Sequence, residues 1–168
     1  GTQHGGILVD FNAVKGGIEI IPLDNDWQKA AHVYSDEVLI SHRTDAEKGT
    51  PKFERGKSLS DYQCEMIYIS GTAAIRGEES IVTGDVLVQT EITLENIQHL
   101  IGLEEGREKL PEHSGKLELL RVYLKHEEDA KIVKEDMDKL CPDVPIVYLY
   151  ADVCREELLV EIEGIAYL

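Results

Sequence analysis

The chain has 168 residues, enough for one domain with a sizeable core, and at 42% hydrophobic and 30% charged its composition is that of an ordinary soluble globular protein. Its 17 Lys and Arg face 33 Asp and Glu, and the net charge of −16 sets up a field that repels phosphate backbones, which argues against a nucleic-acid partner. No apolar run approaches the roughly 20 residues a membrane span requires, and none reads as a signal peptide.

Gly5 to Phe11 and Ile18 to Leu23 are short β-prone runs joined by a turn at Gly16-Gly17, which predicts a hairpin. Asp26 to Tyr34 has room for one or two helical turns, and Glu37 to His42 is a further candidate strand. Thr44 to Ser60 is polar and broken by Gly and Pro, so a long loop is expected, of the kind that is often functional. Met66 to Ser70 is a continuous apolar strand ending at Gly71, followed by a turn region around Gly77 and Gly84. Asp85 is the predicted N-cap of a helix from Val86 to Ile101, where Leu87, Leu94, Ile97 and Ile101 share a face and Gly102 ends it.

Leu117 to Lys125 reads as a strand, and Asp129 to Leu140 as a shorter helix stopped by Pro142. Two strands close the chain, Val144 to Cys154 and Leu158 to Ile165, separated by the charged turn Arg155-Glu156-Glu157. In the last strand Glu161 and Glu163 share one face with Leu159, and Val160 and Ile162 share the other. Carboxylates within an apolar strand are costly to bury unpaired, so that face is either wet or lines a site. The order β-α-β-α-β-β from Met66 predicts an α+β fold, a mixed sheet with two helices packed on one face, preceded by an N-terminal β extension.

Cys64, Cys141 and Cys154 are widely spaced and form no CxxC, which indicates neither a zinc site nor a disulfide framework and points to a reduced, cytoplasmic setting. The six His make no HxH or HExxH pattern, so no metal and no cofactor is assigned. The chain opens on Gly1 without an initiator Met, as a piece of a longer protein would.

Several of these segments match a family in their order and wording. Ile69-Ser70-Gly71 ends a strand, and Gly84-Asp85-Val86 with Gln89-Thr90 opens a helix containing Leu94-Glu95-Asn96-Ile97. Val122-Tyr123-Leu124-Lys125 and the closing Val160-Glu161-Ile162-Glu163-Gly164-Ile165-Ala166 follow. Together they resemble the RidA/YjgF family, also called endoribonuclease L-PSP. The likeness covers Pro51 to the end, leaving 1–50 as an extension and 51–168 as the RidA-like domain. It implies a chorismate-mutase-like fold and a homotrimer with small-molecule clefts between subunits.

Gly71-Thr72-Ala73-Ala74-Ile75, with Ala151-Asp152-Val153-Cys154-Arg155 running on to Leu158-Leu159-Val160-Glu161, is similar to the C-terminal half of chorismatases, RidA-like enzymes that remove pyruvate from chorismate. That likeness implies an acid/base role for Glu161, a place beside the reacting ring for Cys154, and a site mouth at Phe53 to Gly56. Two departures stand out. The position of the carboxylate-binding Arg of the imine deaminases holds Ile146, which counts against that chemistry, and chorismatases are about twice this length.

The candidate site residues are therefore Glu161 as catalytic acid/base, with Tyr148, Cys154, Arg121, Arg55, Phe53, Thr72 and Ala73 around a small anionic metabolite. Each has a plainer reading. Glu161 would be a solvated edge carboxylate, Tyr148 an interface aromatic, Arg121 a member of a structural ion pair and Cys154 a buried thiol. Thr72 and Ala73 would be parts of a strand-ending turn. Arg43 and Arg55 flank the long loop, where an anion could be captured. The competing functions are a chorismatase-like hydrolase, a non-catalytic trimeric binding module and an imine deaminase. Ribonuclease activity is opposed by the charge.

Overall fold

Helix α1 (Val86–Ile101) is fixed at both ends by its sequence. The Asp85 carboxylate accepts the amides of Leu87 at 2.9 Å and Val88 at 3.4 Å, and Gly102 takes a left-handed φ of 81° that few other residues adopt cheaply. Computed as a structural model, the protein is described over residues 9, 11–35, 37–38, 49–61, 64–102 and 115–167.

The remaining elements are β1 (Glu19–Leu23), β2 (Gly56–Ser60), β3 (Glu65–Thr72), β4 (Ile75–Arg76), β5 (Glu79–Ser80), β6 (Lys116–Leu124), α2 (Ala130–Leu140), β7 (Ile146–Tyr150) and β8 (Val160–Tyr167). Six strands form one sheet in the order β1-β2-β3-β8-β6-β7, and β4 with β5 make a small separate hairpin. Every neighbour in the large sheet is antiparallel except β6 and β7, which are parallel and joined through α2. Both helices pack on one face, where Ile67, Ile69, Leu94, Ile97, Leu120, Val122, Val133, Met137, Val160 and Ile162 form the core. The fold is thus α+β, with a mixed sheet.

Several sequence expectations are corrected or located by the fold. Residues 56–60 form β2 and not loop, although the segment Gly-Lys-Ser-Leu-Ser has no β-branched residue; pairing to β1 on one side and β3 on the other supplies what propensity lacks. The sheet order, which the sequence leaves open, separates the two terminal strands: β8 inserts between β3 and β6 while β7 lies beyond β6. Glu37 and Val38 sit in a turn, and the rest of the strand expected there lies outside the described residues, as does Arg43. Of the first hairpin arm, only Val9 and Phe11 are described, both exposed. Asp26 to Tyr34 contains a single 3-10 turn at Ala31–Val33.

At Gly164 the sheet leaves no room for a side chain. A Cβ there would lie 2.5 Å from the Leu119 carbonyl and 2.7 Å from Leu120 Cδ2, beside the register shift between Leu117 and Leu119. Backbone cannot yield as a flexible side chain can, so Gly164→Ala is expected to destabilise the protein by about 2 kcal/mol or more, read by denaturant unfolding.

Candidate functional site

The end of the sheet where β3 stops and β8 starts is built from three chain segments. The first is the corner Ser70 to Ile75, where a register shift between Ile69 and Thr72 interrupts the β3–β8 pairing. The second is the 151–159 crossover, which passes the end of β6 with Ala151 N–H on the Leu124 carbonyl and Lys125 N–H on the Leu159 carbonyl, each at 3.0 Å. The third is the segment 27–35, which runs across the β4–β5 hairpin: Gly77 N–H donates to Trp27 O at 2.8 Å and Lys29 N–H to Gly77 O at 2.7 Å.

Buried amides on α1 hold the first two in place. Asn96 donates to the carbonyls of Ala73 at 3.0 Å and Ile75 at 3.1 Å. Gln89 donates to Glu157 O at 3.0 Å and accepts from Leu159 N–H at 2.8 Å. Ala74, Ile75, Val153 and Leu158 form a second apolar cluster behind them.

These segments enclose a cavity of about 480 Å³, lined by Tyr34, Phe53, Arg55, Ser70, Gly71, Ala73, Cys154, Arg155 and Glu161 among others. Glu161 is half-buried, and its carboxyl lies against the Gly71 backbone, so a Cβ on Gly71 would stand 2.9 Å from Glu161 Cδ. Burial raises its pKa above the carboxylate norm, and the negative charge of Glu163 adds to that. Gly71→Ala would force the carboxyl out of place and, under the function proposed below, is expected to cost on the order of 100-fold in turnover in an otherwise folded protein.

Two arginines supply positive charge. Arg55 is 4% exposed, and its Nη2 donates to Lys29 O at 2.7 Å and to the Tyr34 hydroxyl at 2.5 Å. Its Nε is buried without a partner, and no carboxylate among the described residues pairs with the guanidinium. Arg155 donates through Nη1 to Glu78 O at 2.8 Å and Ser80 Oγ at 3.0 Å. The Tyr34 ring has Arg55 at 5.8 Å and Arg155 at 5.5 Å, and Arg55 also sits 5.0 Å from the Phe53 ring. Two buried cations in a chain of net charge −16 are a strong anion-binding signal. Cys154 is solvent-exposed beside them; protein packed around the thiol raises its pKa, as does the charge of Glu161, with Arg155 opposing.

Glu161, Cys154, Arg55, Phe53 and Ala73 thus come together in one cavity, and three of the sequence candidates do not. Tyr148 lies on the helix-covered face beside Val122, where burial and then Asp138 and Cys141 push its phenol up to about 12. Thr72 pairs with Ile162 on that same face and donates its hydroxyl to Ser70 O at 2.9 Å. Arg121 shares the open face with Glu161 but contacts the Glu163 carboxylate at 2.9 Å and does not line the cavity. Glu163 also accepts from the Tyr123 hydroxyl at 2.5 Å, and burial followed by that contact pushes Tyr123 up to about 12. Sequence reasoning missed Tyr34 and Arg155 as site residues. Arg155 had a signal, since it follows Cys154 directly in the matching segment; Tyr34 had none.

No group of three or more His, Cys, Asp or Glu among the described residues is placed to hold a metal ion, and no described helix is long and apolar enough to cross a membrane.

The fold superposes on that of the YjgF gene product of E. coli with a TM-score of 0.51 over 68% of this chain and 87% of that one. At 20% identity that likeness is one of fold, and the chain has the RidA/YjgF fold. Its relatives in sequence include proteins named chorismatase and one named 3-hydroxybenzoate synthase. The chorismatase of Streptomyces rapamycinicus is 32% identical over 173 residues, and a chorismatase crystal structure matches with a TM-score of 0.71 at 28% identity over 88% of the chain. The first match takes in 98% of this chain but 48% of the S. rapamycinicus protein, and the second takes in 43% of the chorismatase in the crystal. The chain spans about half the length of the relatives it matches. No protein-family model matches it.

Proposed function

We propose that this chain carries the hydrolytic site of a chorismatase-like enzyme, acting on chorismate or a similar cyclic carboxylate and releasing pyruvate. The observation that carries the reading is a carboxyl group with a raised pKa in one cavity with two buried arginines, one of which keeps a buried, unpartnered Nε–H. Chorismate has two carboxylates and an acid-labile enol ether, and the cavity offers a counterpart to each. Arg55 and Arg155 hold carboxylates, and Phe53 and Ala73 border the ring.

Glu161, protonated, delivers its proton to the methylene carbon of the enol ether. Water adds to the resulting oxocarbenium carbon, and the hemiketal collapses to pyruvate and the ring alcohol. The arginines offset charge on the substrate and keep it oriented through those steps. Cys154 borders the ring in this reading. The reading also includes cytoplasmic localisation, in line with three free cysteines, and a homotrimer built on the helix-free sheet face where Val147 and Leu149 are exposed. A deaminase reading finds less support, because Ile146 lies away from the cavity on β7.

The test is pyruvate release from chorismate by the purified chain, with Glu161→Gln as control. Release that disappears in the control supports the assignment. Absence of release together with thermal stabilisation by the ligand would favour the second reading, a metabolite-binding module, which the half-length match to chorismatases makes specific.

A further inference from the structure

We propose that Glu78, which does not line the cavity, is the positioning residue that fastens the cavity's third wall and so sets how tightly an anion is held; the kinetic part of this rests on the functional reading above. Glu78 sits at the tip of the β4–β5 hairpin, next to Gly77, whose φ is +59°. Its carboxylate takes the Lys29 ammonium at 3.0 Å and the Ser35 amide at 2.7 Å. Its own carbonyl takes Arg155 Nη1 at 2.8 Å. One residue therefore joins both ends of 29–35 to an arginine of the cavity.

Residue 34 lies inside the span Glu78 grips, and Tyr34 is what that span contributes to the cavity. Its ring has Arg55 at 5.8 Å and Arg155 at 5.5 Å, and its hydroxyl accepts from Arg55. The carbonyl of Lys29, at the gripped end, takes the same Arg55 nitrogen. Releasing the carboxylate's hold would loosen the ring and the carbonyl together, leaving both guanidinium groups less constrained in rotamer and direction. The other end of the segment has its own anchor, the Trp27 ring stacked 4.0 Å from His99 and 4.5 Å from Arg76, so the clamp at Glu78 can fail without detaching the whole segment. Its hydrogen bonds to Ser35 and the nearby Lys29 hold the Glu78 carboxyl well below the usual range, at about 2, so it stays ionised in all working buffers.

Because Glu78 touches neither the reacting atoms nor Glu161, its loss changes grip on the bound anion in ground state and transition state alike. Glu78→Ala is expected to raise KM for chorismate about tenfold with kcat held within about twofold. Glu78→Gln, which can still accept from the Ser35 amide, is expected to fall between the variant and wild type, and Lys29→Met to match it. Hydrogen exchange on the ligand-free protein supplies the second readout: the Ser35 amide and its neighbours up to Lys29 exchange faster in Glu78→Ala, while the α1 amides do not change. Unchanged exchange at Ser35 would overturn the clamp. Faster exchange with KM unmoved, or a fall in kcat at constant KM, would overturn its role in grip. If the wild type releases no pyruvate, the functional reading fails on its own, and exchange at Ser35 still decides whether Glu78 holds the wall.

Discussion

Glu161→Gln is expected to keep its fold and lose pyruvate release by about a thousandfold, within the range that removing a general acid produces. The amide fills the same space against Gly71 and can still hydrogen-bond, but has no proton to give at any working pH. The pH dependence follows from the raised pKa. In the proposed mechanism turnover needs the protonated carboxyl, so kcat is expected to fall as pH rises through the elevated pKa. Stability follows the same direction. The folded-state pKa lies above the ordinary 4.5, so the contribution of this group is fully present below the unfolded value and lost as pH rises through the folded one. Glutamine has no such loss. The thermal midpoint of Glu161→Gln should therefore exceed that of the wild type at neutral and alkaline pH, and the two should converge near pH 4 or below. A variant both inactive and more stable would be hard to explain by unfolding.

Arg55→Met should raise KM for chorismate by roughly 10- to 100-fold, the equivalent of losing one or two charge-assisted hydrogen bonds. The apolar stem of methionine follows the first part of the arginine path between Phe53 and Tyr34, so packing is largely retained. Removing an unpaired buried cation relieves desolvation while leaving Lys29 O and the Tyr34 hydroxyl short of a donor, and these act in opposite senses on stability. Arg55→Lys should not restore binding, because one ammonium cannot serve Lys29, Tyr34 and a ligand carboxylate in the geometry of a planar fork. Steady-state kinetics with chorismate beside a thermal melt checks both claims; a KM unchanged in Arg55→Met would remove Arg55 from the site.

How much of this was legible beforehand depends on whether the determining contacts are local. Helix α1 could be read to the residue because its signals, the Asp85 cap, the apolar spacing and Gly102, all lie within it. The alternation of β8 likewise placed Glu161 opposite Val160 and Ile162. Alternation separates two faces but does not say which one a helix will cover, and α2 covers the side that holds Tyr148. Thr72 was lost to the register shift after Ile69: with a period of two, one irregularity moves a side chain to the opposite face. Strand β2 was hidden because its own residues carry little β signal, and its extended form comes from pairing to β1 and β3 on either side. Arg121 stands out in the sequence as a candidate while Arg155 reads only as part of a charged turn, and the fold reverses them by giving Arg121 a carboxylate neighbour and Arg155 a place in the cavity.

The two buried amides of α1 set a dimension as well as a connection. Gln89 and Asn96 are seven residues apart, two helical turns, so they project from one side of the rod about 10 Å from each other along its axis. One is tied to the crossover that brings Cys154 and Arg155, the other to the corner that brings Gly71 and Ala73. The helix thus works as a ruler for the spacing between these two segments, independent of what side chains they carry. Loop sequences around this corner can change without altering the width of the opening, which gives the scaffold a fixed aperture into which different chemistries can be written.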